Sequence, residues 1–256
     1  MLYKFVICFI AGIGAGLGTG FAGMSAAAVI SPMLITFLHM DAYSAVGIAL
    51  ASDVLASAVS AYTYGKNKNL DVKNGVTMMV SVLAFTLVGS WVASLLPSST
   101  MGNFSMFMTL LLGVKFIVKP VMTTKESMQA VSARKRFVQS IVCGVIIGFI
   151  CGFVGAGGGM MMLLILTSVL GYELKTAVGT SVFIMAFTAL LGALSHFAIG
   201  GAPDLWSLVF CVLSTLLWAR IAARFANKAR PATLNRATGA VLVVLGVAIL
   251  AVNYLS

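Results

Sequence analysis

The residues of this chain that could do chemistry are few and stand in apolar surroundings. Two glycine clusters, Gly20-Phe21-Ala22-Gly23-Met24-Ser25-Ala26-Ala27 and Gly152-Phe153-Val154-Gly155-Ala156-Gly157-Gly158-Gly159, interrupt hydrophobic runs and lie 132 residues apart. Backbone N–H groups freed at such a turn, at the start of a helix, attract an anion through hydrogen bonding and the helix dipole. The second cluster is too dense for packing alone and precedes Met160-Met161-Met162, so Gly155, Ala156, Gly157 and Gly158 are candidate ligand contacts. In the first cluster Gly23 and Met24 take the equivalent places, and Ser25 adds a hydroxyl donor. Thr180 and Ser181 can cap, bond back to a carbonyl or bind a substrate oxygen.

Two titratable groups join them. Asp53 lies about midway along the apolar run 42–64. A carboxylate at mid-bilayer costs about 2.5–3.5 kcal/mol on insertion scales, so it must face the protein interior or a wet cavity. It reads either as a protonated, hydrogen-bonded structural acid or as a proton-coupling group. His196, near the end of a later apolar run, reads as a hydrogen-bonded interfacial residue or a proton relay.

The elements that position these residues follow from composition. The chain has 256 residues, of which 61% are hydrophobic and 9% charged. Soluble domains average about 45–50% apolar and about 25% charged, so the class is a polytopic α-helical membrane protein. Five apolar segments appear in each half, at 5–20, 22–38, 42–64, 72–96 and 101–122, then at 137–152, 154–170, 174–199, 204–226 and 232–254. The polar stretch 123–136 connects an N-terminal repeat (1–122) to a C-terminal repeat (137–256). The first apolar run, after Lys4, outlasts a signal-peptide core and is expected to be retained.

The repeat is carried by matched residues. Gly12, Gly16, Gly20, Gly23 and Gly47 map without a gap onto Gly144, Gly148, Gly152, Gly155 and Gly179. Ser44-Ala45-Val46-Gly47 maps onto Thr176-Ala177-Val178-Gly179, Asp53 onto Met185 and Tyr64 onto His196. Helix N-capping is the simplest role for Ser44 and Thr176. The net charge of +10 sits in the gaps between apolar runs, where it sets topology rather than binding nucleic acid. Placing those gaps in the cytoplasm leaves Lys4 as the one basic residue outside, and puts both termini outside. The third segments of the halves then end on opposite faces, which makes the repeats inverted, as in many secondary transporters.

The first two segments of each half look short, at about 25 Å against a hydrocarbon core of about 30 Å. They are either half-helices in a re-entrant, glycine-linked hairpin or two tilted spans; three longer transmembrane helices complete each repeat. Glycines spaced by four, Gly12, Gly16, Gly20 and Gly144, Gly148, Gly152, form smooth packing faces. Such faces also allow a homodimer.

Other chemistries find no support. Gly18-Thr19-Gly20-Phe21-Ala22-Gly23 fits the dinucleotide glycine pattern but lacks the strand that must precede it. Cys8, Cys143, Cys151 and Cys211 all lie in apolar segments without metal-ligand spacing. No paired-aspartate, GxSG or HExxH motif is present. An enzyme, a metal and a cofactor are therefore not expected. No Lys or Arg sits mid-segment, so an anion would be held by helix N-termini and hydroxyls.

The glycine cluster at Gly152 to Gly159 with Ala177-Val178-Gly179-Thr180-Ser181, and the weaker Gly20 to Ala27 with Ala45-Val46-Gly47, resemble the TauE/SafE family of sulfite exporters. The resemblance implies a multi-pass inner-membrane transporter for a small anion such as sulfite or an organosulfonate. The first half departs from the pattern at Met24-Ser25-Ala26-Ala27 and Ile48-Ala49, and Asp53 is unusual. The expectation is a secondary transporter, working as an exporter by alternating access with proton coupling through Asp53 or His196. The alternative is a non-transporting membrane subunit that binds a ligand for a partner protein.

Overall fold

The computed structural model describes residues 1–93, 110–111, 113–129, 132–154, 158–200 and 202–255. Helices dominate them: α1 Leu2–Ala22, α2 Ala27–Leu38, α3 Ala42–Lys66, α4 Val72–Ala93, α5 through 113–118, α6 Lys125–Gln129, α7 Ala133–Val154, α8 Gly158–Ser168, α9 Leu174–Gly200, α10 Leu205–Lys228 and α11 Pro231–Leu255. No strand occurs among the described residues. Five of these helices, α1, α3, α9, α10 and α11, are long and apolar enough to cross a membrane.

The distribution of side chains is that of a protein dissolved in lipid. Large apolar residues such as Leu87, Leu213 and Val244 point outward. The interior is built from small and hydroxylated ones, including Ala11, Ala15, Thr19, Ser52, Ser57, Ser60 and Thr215. Lipid tails are as apolar as leucine, so close backbone approach and interhelical hydrogen bonds drive this packing.

The spaced glycines make that approach. A β-carbon on Gly16 would sit 2.7 Å from both the Thr215 carbonyl oxygen and the Ala219 backbone nitrogen, and Gly12 meets Ser214 one turn earlier. In the other half Gly144 meets Ser81 and Gly148 meets Val82 and Phe85. These contacts order the helices: α1 runs parallel to α10, and α7 parallel to α4. The first helix of each half thus packs on the fourth helix of the other. Between them α3 and α9 cross antiparallel, with Gly47 against His196 and Phe197, Gly192 against Leu50, and Gly179 against Tyr64 and the Asn69 carbonyl. The pairs Gly47–His196 and Gly179–Tyr64 are each other's counterparts at the 132-residue offset.

The helix lengths revise one expectation. The first segments are not short: α1 has 21 residues and α7 has 22. Leu2 to Lys4 and Arg134 to Arg136 extend them, because basic side chains carry a helix into the interfacial layer with their heads in water. The second segments are shorter than expected, 12 residues in α2 and 11 in α8. Rising about 16–18 Å, they cannot cross a core of about 30 Å. Part of the 123–136 connection is also helical, as α6 and the start of α7.

Candidate functional site

The two short helices begin beside each other. In the first half α1 ends at Gly23, whose φ of 60° is the left-handed conformation that glycine adopts without strain. The chain reverses there and enters α2 at Ala27. The Ser181 hydroxyl on α9 donates to the Gly23 carbonyl at 3.1 Å. A β-carbon on Gly159, in the first turn of α8, would lie 2.8 Å from that same carbonyl oxygen. The turn at Gly23 therefore touches both the start of α8 and the interior of α9.

The amides expected to hold a ligand at this turn are already bonded. Gly23 N–H donates to Thr19 O at 2.9 Å and Met24 N–H to Gly18 O at 3.2 Å. Both close the end of α1, where free carbonyls capture the first available donors. The Thr19 hydroxyl sits 2.9 Å from the Ala15 and Met24 carbonyl oxygens and fixes the same turn. The Met24 side chain folds back onto Gly18.

What meets the N-terminus of α2 is Asp53. Its carboxylate accepts from the Ser25 hydroxyl at 2.7 Å and from the Ser57 hydroxyl at 2.8 Å. The Ala26 backbone N–H is also directed at it. The residue is 1% exposed. An acid from α3 thus sits where the dipole of α2 favours negative charge, an arrangement worth about 0.3–2 kcal/mol. The equivalent place at the start of α8 carries no acid: the Met185 thioether sulfur packs over Gly159 there. One helix start is met by an acid and the other by a neutral thioether.

The remaining candidates separate. Thr180 and Ser181 are neighbours in sequence, but the helix turns them apart: Thr180 Oγ1 accepts from the Asp71 N–H at 3.2 Å, away from the glycine turn. His196 lies at the far end of α9, stacked on Tyr43 with ring centroids 4.4 Å apart and Nδ1 2.9 Å from Gly192 O. It packs beside Gly47, nearly two turns of α3 from Asp53. Gly158 opens α8, while Gly155, Ala156 and Gly157 lie outside the described residues. Capping also differs from expectation: Asp41 caps α3 by accepting from Ser44 N–H at 3.0 Å, and the Thr176 hydroxyl donates to Glu173 at 3.3 Å. Ser44 and Thr176 are each the third residue of their helix, inside the first turn, so neither can be the cap.

Two residues at the site escaped the sequence reading. Ser57 stands one helical turn after Asp53, a spacing that could have named it. Tyr64 donates to Gly20 O at 2.8 Å from full burial and bolts α3 to α1; its mapping onto His196 was the available signal.

Half-length helices meeting at a buried polar centre, inside a lipid-facing helical shell, define a membrane protein of the transporter class. The sulfite exporter TauE/SafE family model matches residues 8–249. The chain belongs to the sulfite exporter TauE/SafE family. It is similar to two proteins of Bacillus subtilis (strain 168): probable membrane transporter protein YunE, at 25% identity over 95% of this chain and 96% of the relative, and probable membrane transporter protein YdhB, at 21% over 83% and 86%. Probable membrane transporter protein MJ0441 of Methanocaldococcus jannaschii is 29% identical over 75% of this chain and 70% of its own length. No solved structure matches.

Proposed function

We propose that this membrane transporter is a secondary exporter of a small anion such as sulfite or an organosulfonate, with the two halves acting as inverted repeats. The observation that carries the reading is the carboxylate of Asp53 on the N-terminus of α2. The protein supplies its own anion to one half-helix and leaves the other, at α8, facing neutral Met185. Two negative charges so close in a dry interior repel strongly. A substrate anion at the meeting point of Gly23, Ser25, Gly158 and Ser181 is then admitted when Asp53 is protonated, and expelled when it ionises.

Proton and anion travel together in this scheme, and net export follows when the anion gradient exceeds the opposing proton gradient. The antiparallel crossing of α3 and α9 supports inversion, because equivalent helices run in opposite directions only if the relating axis is perpendicular to them. The parallel pairs α1–α10 and α4–α7 provide surfaces on which one half can rock against the other. Thr180 and His196 have no direct part at the centre; His196 belongs to one mouth of the α3–α9 seam.

The test is flux in proteoliposomes loaded with sulfite, methanesulfonate or acetate. Movement of the sulfur oxyanions by the purified protein alone is expected. Absence of movement for every anion, with folded protein, removes the reading and favours the partner-dependent subunit.

A further inference from the structure

A second polar site lies where α3 ends and α4, α7 and α9 begin. A cavity of about 380 Å³ is lined there by Lys68, Lys73, Lys125 and Arg136, with Asp71 and Thr176. Four cations face one acid, and that acid is heavily engaged. Asp71 accepts from Tyr172 OH at 2.9 Å, from Asn74 Nδ2 at 2.7 Å and from Asn74 N–H at 3.2 Å. Burial, reinforced by the Asp71 carboxylate, pushes the Tyr172 phenol up, so it remains a donor. Asp71 is therefore a structural hub, and Arg136 Nη1 reaches it only at 4.0 Å.

The guanidinium is left with capacity. Arg136 lies over the Tyr172 ring at 5.7 Å, and its Nη2 is buried with no hydrogen-bond partner. A buried guanidinium nitrogen without an acceptor is costly unless a ligand supplies one. Lys68 and Lys73 are exposed, while Lys125 donates to the Lys68 carbonyl at 3.0 Å and draws α6 over the cavity. A fork of N–H groups flanked by ammonium groups is the chemistry that recognises a tetrahedral oxyanion.

The opposite end of the molecule provides the control. At the repeat offset Arg136 corresponds to Lys4, and Asp71 falls one residue short of Asp204, with which Lys4 pairs at 3.0 Å. That pair satisfies itself, whereas the Arg136–Asp71 pair is stretched and has three lysines gathered around it.

We propose that this cavity binds a sulfonate, sulfate or phosphate group, distinct from the Asp53 centre and connected to it by α9, where Thr180 holds the cavity wall and Ser181 touches the central turn. The same chemistry could come from a soluble anion or a lipid headgroup. Sodium sulfate and methanesulfonate are titrated by calorimetry into the protein in phosphatidylcholine nanodiscs, then in nanodiscs containing phosphatidylglycerol. Saturable binding in the first, weakened about tenfold by Arg136→Gln or by K68Q/K73Q, supports a soluble oxyanion. Binding present in phosphatidylcholine and suppressed in proportion to the phosphatidylglycerol content assigns the cavity to a lipid phosphate. The two lysines are exposed, so K68Q/K73Q keeps the test open if Arg136→Gln does not fold. Unchanged affinity in folded K68Q/K73Q, or no binding of either salt in both membranes, overturns the proposal. The measurement needs no flux, so its failure leaves the transport reading standing.

Discussion

Replacing Asp53 by asparagine separates structure from coupling at the centre of the molecule. The asparagine amide retains the shape of the carboxyl group and one oxygen acceptor, so one of the Ser25 and Ser57 hydroxyls can still donate while the other turns to accept from the amide NH₂. Bonds to a charged group contribute about 1.5–3 kcal/mol and neutral ones about 0.5–1.5 kcal/mol, so Asp53→Asn is expected to cost about 1–2 kcal/mol. Asp53→Ala strands both hydroxyls at about 1–3 kcal/mol each, and is expected to lose about 2–6 kcal/mol. Thermal unfolding in detergent measures that difference. The decisive assay is accumulation in proteoliposomes. With one proton moved per anion, a gradient of one pH unit supports about a tenfold anion gradient, since one unit is worth 1.36 kcal/mol. Asp53→Asn is expected to abolish pH-driven accumulation while retaining anion exchange down a gradient. Accumulation equal to wild type at every pH would falsify the coupling role of Asp53, leaving it a structural acid that caps α2.

Further expectations concern the frame. Gly16→Val and Gly148→Val press a side chain against the backbone of α10 and α4 respectively, and each should destabilise by about 1–3 kcal/mol or more; a loss at one position alone, read as a melting shift, contradicts equivalence of the two seams. Tyr64→Phe leaves the Gly20 carbonyl without its donor in a buried seam and should cost about 1–3 kcal/mol in the same assay. Asp204 is held below the usual carboxylate range chiefly by Ser207, whose amide donates to it at 2.9 Å, and by Lys4 at 3.0 Å, opposed by partial burial. Its contribution is present above the unfolded value of about 3.9 and disappears as pH falls through the lower folded one. Asp204→Asn keeps the cap and loses only the solvent-screened charge, so it should cost about 0.3–1 kcal/mol at pH 7 and nothing near pH 2, compared by melting across pH. A constant difference across that range contradicts the assignment.

What the sequence made legible is what local rules govern. Glycines at four-residue spacing read as packing faces because small side chains have little other use in lipid, and Gly16 against Ala219 is that contact. Asp53 stood out because a lone acid in an apolar helix must find partners. The 132-residue offset linked Gly47 with Gly179 and Tyr64 with His196, and the structure sets them in equivalent contacts. The misreadings arise where partners come from distant elements. Thr180 and Ser181 looked like a unit, yet about 100° of helical rotation sends one to Asp71 and the other to Gly23. The amides of Gly23 and Met24 looked free because their acceptors, Thr19 and Gly18, become available only once α1 has ended. The basic cavity joins Lys68 and Lys73 of the α3–α4 turn to Lys125 and Arg136 of the 123–136 connection, two stretches far apart in sequence whose separate neighbourhoods do not announce it.

The swapped pairing of first and fourth helices also sets a timetable for biosynthesis. The smooth face of α1, with Gly12, Gly16 and Gly20, is made well before its partner α10, which starts only at Leu205. At about 5–20 residues per second, α1 waits about 10–40 s in the membrane before its groove is filled. During that interval the glycine face is open to lipid and to any other small-residue helix nearby. Tyr64, synthesised much sooner, reaches Gly20 first and can hold α1 against α3 until the second half arrives. A chain shortened before α10 is thus expected to be short-lived in the membrane, and co-expression of the missing half to rescue it.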